Sequence, residues 1–114
     1  MALIVVVELS TFQRDVEGEL NEPQLEELKD YLAANPEAGV LIKGTGGVRK
    51  LRWAASGRGK RGGGRVIYYF HDLDMPLYLF RFFTKAAKTD LSAAEKKKLA
   101  SVVTSIVAEQ KRRK

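Results

Sequence analysis

At 114 residues, 45% hydrophobic and 30% charged, the chain has the composition of a soluble globular domain, expected to span residues 1–114 as one unit with a real core. It has no cysteine and one histidine, which excludes disulfide and thiolate chemistry and a histidine-rich metal site; no metal or cofactor is expected. The net charge of +6 is segregated: residues 1–37 hold nine acidic and two basic residues, 38–71 hold eight basic and none acidic, and 72–114 hold ten basic and five acidic. One face should therefore repel polyanions and another attract them, making nucleic acid the default partner and an anionic protein the main competitor.

The opening MALIVVVELSTF lacks a basic n-region and a small-residue cleavage site, and no apolar run reaches bilayer length. A cytoplasmic protein with no membrane partner is expected. Leu3 to Leu9 instead reads as a strand, and its Val/Ile richness suggests a central one. Ser10 or Thr11 can cap a short helix with Phe12, Val16 and Leu20 on one face, ending near Gly18. Asn21-Glu22-Pro23-Gln24 is a second helix start, an Asn cap with Gln three residues on and Pro in the first turn. Leu25, Leu28, Tyr31 and Leu32 form its expected buried stripe, and Asn35-Pro36 stops it.

Val40 to Ile42 can form a short strand. Val48 to Trp53 alternates, placing Lys50 and Arg52 on one side of a sheet and Leu51 and Trp53 on the other. Ala55 to Gly64 is expected to be an irregular cationic hairpin loop. Arg65 to Phe70 and Leu77 to Phe83 are strong strand candidates joined by a turn over His71 to Pro76. Ser92 and Glu95 make a capping box for a last helix with Leu99, Val102, Val103, Ile106 and Val107 as its stripe. Its basic end, Lys111 to Lys114, suits the helix dipole as well as a role in attracting RNA. The pattern is an α+β domain: a mainly antiparallel sheet with two N-terminal helices and one C-terminal helix, the helices lying against one face.

The stretch from Lys43 to Arg65, KGTGGVRKLRWAASGRGKRGGGR, contains eight Lys/Arg residues and no acid. Glycines and cations in this density let backbone amides and charges approach a polyanion. GRGKRGGG is not followed by a helix, so a nucleotide-binding P-loop is not indicated, and a lone His71 in a turn is not a persuasive general base. RNA cleavage needs no histidine, because the ribose 2′-OH is the nucleophile and clustered cations can stabilise the anionic phosphorane. A Lys among other cations in a partly dry cleft could also serve as base. From composition alone, simple binding of backbone phosphates is the more economical reading.

The segments GTGGVRKLRWAASGRGKRGGGRVIYYF and LYLFRFFTKAAKTDLS resemble the RelE/HigB toxins of bacterial type II toxin–antitoxin systems, in particular the HigB-like branch. The resemblance runs from about Pro36 through the last helix. It implies a RelE-like (microbial ribonuclease-like) fold and a ribosome-dependent endoribonuclease that cuts mRNA in the decoding site. It also implies neutralisation by a cognate helix-turn-helix (HigA-like) antitoxin. On this resemblance Lys50 and Arg52 match the basic pair of the central strand, one of them proton acceptor or phosphate ligand, with Lys50 the better candidate. Arg65 matches the arginine that stabilises the transition state. Lys85 and Lys88 fall where the family places a cation for the scissile phosphate or leaving group.

Lys43, Arg49, Arg58, Lys60 and Arg61 are read as contacts to ribosomal RNA or mRNA, and Tyr69 or Phe83 as an aromatic that could stack on a base, although alternating strand aromatics are more often core. Some RelE relatives carry a tyrosine near the start of the last helix, where Leu91 stands here. Two other readings stay open: a non-catalytic ParE-like toxin that binds a protein such as gyrase, and a plain RNA-binding module.

Overall fold

The computed structural model describes residues 4–54, 63–84 and 90–113. The elements are β1 (Val6–Glu8), α1 (Ser10–Val16), α2 (Glu22–Ala34), β2 (Val40–Leu41), β3 (Val48–Trp53), β4 (Gly64–Tyr69), β5 (Leu77–Thr84) and α3 (Ala93–Arg113). The strands form one sheet in the order β1-β5-β4-β3-β2. β2 through β5 are antiparallel to their neighbours, and β1 runs parallel to β5. The α+β class and the β3-β4-β5 meander are those expected from the sequence.

Alternation along β4 sends Val66 and Tyr68 to one face and Ile67 and Tyr69 to the other. On the first face they meet Phe12 and Val16 of α1 and Leu28 and Leu32 of α2. On the second they meet Leu99 and Val103 of α3. The helices thus cover both faces, correcting the expectation of a single helical layer. The stripe on α3 is apolar enough to bury the half of the second face that β4 and β5 fill with Ile67, Tyr69, Phe80 and Phe83.

A β-bulge makes this two-sided core possible. Ile67 is opposite Arg81 whereas Tyr68 is opposite Leu79, so Phe80 is the extra residue in β5. The slip changes parity: Leu77, Leu79 and Phe82 face the first core, while Phe80 and Phe83 face the second. Helix α1 satisfies the backbone at the irregularity. Thr11 donates its hydroxyl to the Phe80 carbonyl at 2.6 Å, and the Phe82 amide donates to Asp15 Oδ2 at 2.9 Å. Thr11 and Asp15 are four apart, hence on one helical face.

Several local expectations change. β1 is an edge strand rather than a central one, and it begins at Val6. Ile4 and Val6 pack on the first core, whereas Val5, of opposite parity, is 66% exposed. Leu9, not Ser10 or Thr11, is the N-cap of α1, with no side-chain cap. Tyr31 is 40% exposed instead of buried, with its ring 5.3 Å from that of Trp53. Gly64 belongs to β4, not to the loop. Both capping boxes are present: the Gln24 amide donates to Asn21 Oδ1 at 2.9 Å, and the Glu95 amide donates to Ser92 Oγ at 3.1 Å.

Candidate nucleic-acid interface

Val48, Lys50 and Arg52 alternate onto the second face of β3, as Arg65, Ile67 and Tyr69 do on β4. Register then decides which cations meet. Arg52 lies directly opposite Arg65, and Lys50 opposite Ile67. Directly opposed residues in an antiparallel pair have Cβ atoms about 5 Å apart, and like charges there are destabilising. Among the described residues no carboxylate pairs with Arg52 or Arg65. Arg65 donates to the Gly64 carbonyl at 3.4 Å, a contact to a neutral acceptor.

Lys50 differs. Its Nζ lies 3.5 Å from Asp90 Oδ1, just before α3 begins. The Leu91 amide donates to the same oxygen at 2.8 Å. That amide, aided by the charges of Lys50 and Lys96, holds the Asp90 carboxyl below its ordinary value. The site is a strip of three cations on one sheet face, two mutually opposed and one tethered.

The remaining candidates separate from this strip. Arg49 has the opposite parity and faces away. It donates to the Gly39 carbonyl at 2.8 Å and the Glu37 carbonyl at 3.2 Å, and its side chain is 15% exposed. In this structure Arg49 ties the 37–39 segment to β3 and stands apart from the strip. Tyr69 is 4% exposed, with its ring stacked on Phe80 at 6.5 Å between centroids, so it sits in the second core rather than beside the cations of the strip. Burial also raises its phenol above the ordinary value.

Lys43 is exposed, but it precedes β3 at the Val48 end and is not brought to Arg52 and Arg65. Around it the glycines serve a turn: Gly44, Gly46 and Gly47 have φ of 78°, 76° and 120°, and the Val48 amide donates to the buried Thr45 hydroxyl. Arg58, Lys60, Arg61, Lys85 and Lys88 lie outside the described residues. His71 is exposed in the turn after β4, its Nδ1 4.0 Å from Asp72. No group of acidic or histidine side chains among the described residues could hold a metal ion.

Two polar relationships were not read from the sequence. Arg81 Nε donates to Asp15 Oδ2 at 2.6 Å, and its Nη1 lies 3.9 Å from Glu95 Oε2, joining α1, β5 and α3. A lone arginine within LYLFRFF was the available signal. The other is Asp90, seen in the sequence only as part of a helix start.

No family model matches the chain. Among solved structures it is similar to a double arginine-to-alanine mutant of the E. coli toxin RelE in the free state, at 19% sequence identity and a TM-score of 0.49, over 77% of this chain and 88% of that one. At that distance the likeness assigns no role to any residue.

Proposed function

We propose that the protein is the toxin of a type II toxin–antitoxin system, an endoribonuclease of the RelE/HigB kind, in its HigB-like branch, that cuts mRNA on the ribosome. The observation that carries this reading is the opposed pair Arg52 and Arg65, with Lys50 on the same face. A sheet that keeps two guanidinium groups opposite each other, with no carboxylate partner among the described residues, bears a cost in the free state that a bound polyanion removes. The residues are those the sequence resemblance picks out on independent grounds.

The chemistry follows from the substrate. The 2′-oxygen attacks the adjacent phosphorus, loses its proton, and the bond to the 5′-oxygen breaks as that oxygen gains a proton. Two guanidinium groups aimed at one phosphate favour the phosphorane, whose charge exceeds that of the ground state. Lys50 is the candidate phosphate ligand or proton acceptor; Lys85 and Lys88 are candidates for the leaving-group side. Arg58, Lys60 and Arg61 would dock ribosomal RNA. The partners are the ribosome, mRNA and a helix-turn-helix antitoxin of HigA type, which places the protein in the cytoplasm. No helix among the described residues is long and apolar enough to cross a membrane.

Induced expression tests this reading. Growth arrest with cleaved mRNA, relieved by Arg65→Ala, is expected. Arrest with intact mRNA and inhibited gyrase would point instead to a protein-binding toxin. Salt-dependent RNA binding without arrest would point to a plain RNA-binding module.

A further inference from the structure

We infer that Asp90 is a positioning residue that competes with RNA phosphate for Lys50 and, in doing so, keeps Lys50 in register with Arg52 and Arg65. The effect on turnover rests on the nuclease reading; the competition for Lys50 rests on geometry alone. Among the described residues, Asp90 is the carboxylate that meets the cationic strip: it lies 3.5 Å from Lys50 Nζ. It is also fixed. The Leu91 amide donates to the same Oδ1 at 2.8 Å, and Leu91 is itself buried against the second core. The carboxylate therefore cannot swing away freely, although its side chain is 58% exposed.

Lys50 has a flexible four-carbon stem, three donors and no rigid plane to orient it. On the sheet its neighbours across the strands are Val40 and Ile67, which offer no polar contact. Asp90 thus supplies the directional constraint on the ammonium group among the described residues. At 3.5 Å and partly exposed, the pair is weak enough to yield to a phosphate, which can take the same position with a stronger charge-assisted bond. Wild-type protein consequently binds RNA less tightly than its cations allow, but binds it with Lys50 already aimed.

Asp90→Asn keeps an oxygen to accept from the Leu91 amide and removes only the charge. Two outcomes move in opposite directions. Affinity for a single-stranded RNA oligonucleotide, measured by fluorescence anisotropy at fixed salt, is expected to rise about 2- to 5-fold, the value of one exposed ion pair. Turnover on mRNA-programmed ribosomes is expected to fall about tenfold while KM also falls, because a loosened Lys50 binds phosphate in unproductive poses. In a Lys50→Met background, Asp90→Asn should change neither quantity, since the partner is gone. Asp90→Glu, which restores the charge, should bring affinity back toward wild type.

A purely structural Asp90 would lower thermal stability and leave RNA affinity unchanged or weakened, and that result overturns the inference. So would a full Asp90→Asn effect in the Lys50→Met background. If wild-type protein binds the oligonucleotide but never cuts on ribosomes, the nuclease reading fails while the affinity arm still decides the competition.

Discussion

Arg52 and Arg65 occupy directly opposed positions on β3 and β4, with no carboxylate among the described residues to separate their charges. Everything proposed about function turns on that pairing. Replacing either side chain by an uncharged one relieves repulsion in the free protein, so Arg65→Ala is expected to leave thermal stability unchanged or slightly raised. Cleavage on programmed ribosomes should fall by about 10²- to 10³-fold, the usual cost of one transition-state donor. A calorimetric scan beside a single-turnover assay checks both directions.

Neutralising Arg58, Lys60 and Arg61 together should behave differently. Ribosome affinity should weaken, and the slope of log K against log salt should shrink by about 2 for three lost single-strand phosphate contacts. Turnover at saturating ribosome concentration should stay near wild type. Binding measured at several salt concentrations, with turnover at saturation, separates docking from chemistry.

Asp15 is expected to be a stability residue. It accepts from Arg81 Nε at 2.6 Å and from the Phe82 amide at 2.9 Å, beside the extra residue of β5. Asp15→Ala leaves that amide and the partly buried guanidinium without their acceptor, a loss of about 1–3 kcal/mol. Urea denaturation measures it. A smaller loss in Arg81→Met is expected, because the amide keeps its partner.

Gly64 gives a steric test. A Cβ there would come within 2.4 Å of the Phe82 ring, which is itself buried in the first core. Gly64→Ala should destabilise by about 1–3 kcal/mol through overpacking, measured by the same denaturation.

Tyr68 links stability to alkaline pH. Its hydroxyl accepts from the Gly39 amide at 2.8 Å and donates to the Pro36 carbonyl at 2.9 Å. Burial raises the phenol above its ordinary value of 10.0. The unfolded chain therefore loses this proton first as pH rises, so the contribution is complete below about pH 10 and disappears as pH passes through the folded value. Tyr68→Phe should flatten that alkaline loss of stability and destabilise at neutral pH by about 1–3 kcal/mol, since two backbone groups lose their partner. Denaturation midpoints between neutral and alkaline pH report both effects.

How much of this was legible depended on the range of the interaction. The capping boxes of Asn21 with Gln24 and Ser92 with Glu95 are local and were readable. So was the parity that puts Lys50 and Arg52 together; applied to the next residue, it would also have set Arg49 on the other face. The opposition of Arg52 and Arg65 needed the register of two strands joined by a long loop, which no local pattern fixes. The burial of Tyr69 depended on α3 crossing to the second face. The partnership of Asp15 with Arg81 spans 66 residues and follows from the bulge at Phe80, which β propensity does not encode.

The most direct measurement is to map mRNA ends on ribosomes after brief induction of the wild-type chain and of Arg65→Ala at equal protein levels. New ends at a fixed distance within the ribosome-protected mRNA, present for wild type and missing for Arg65→Ala, are the expected result. Intact mRNA after wild-type induction, or the same ends with Arg65→Ala, would contradict the nuclease built on Arg52 and Arg65.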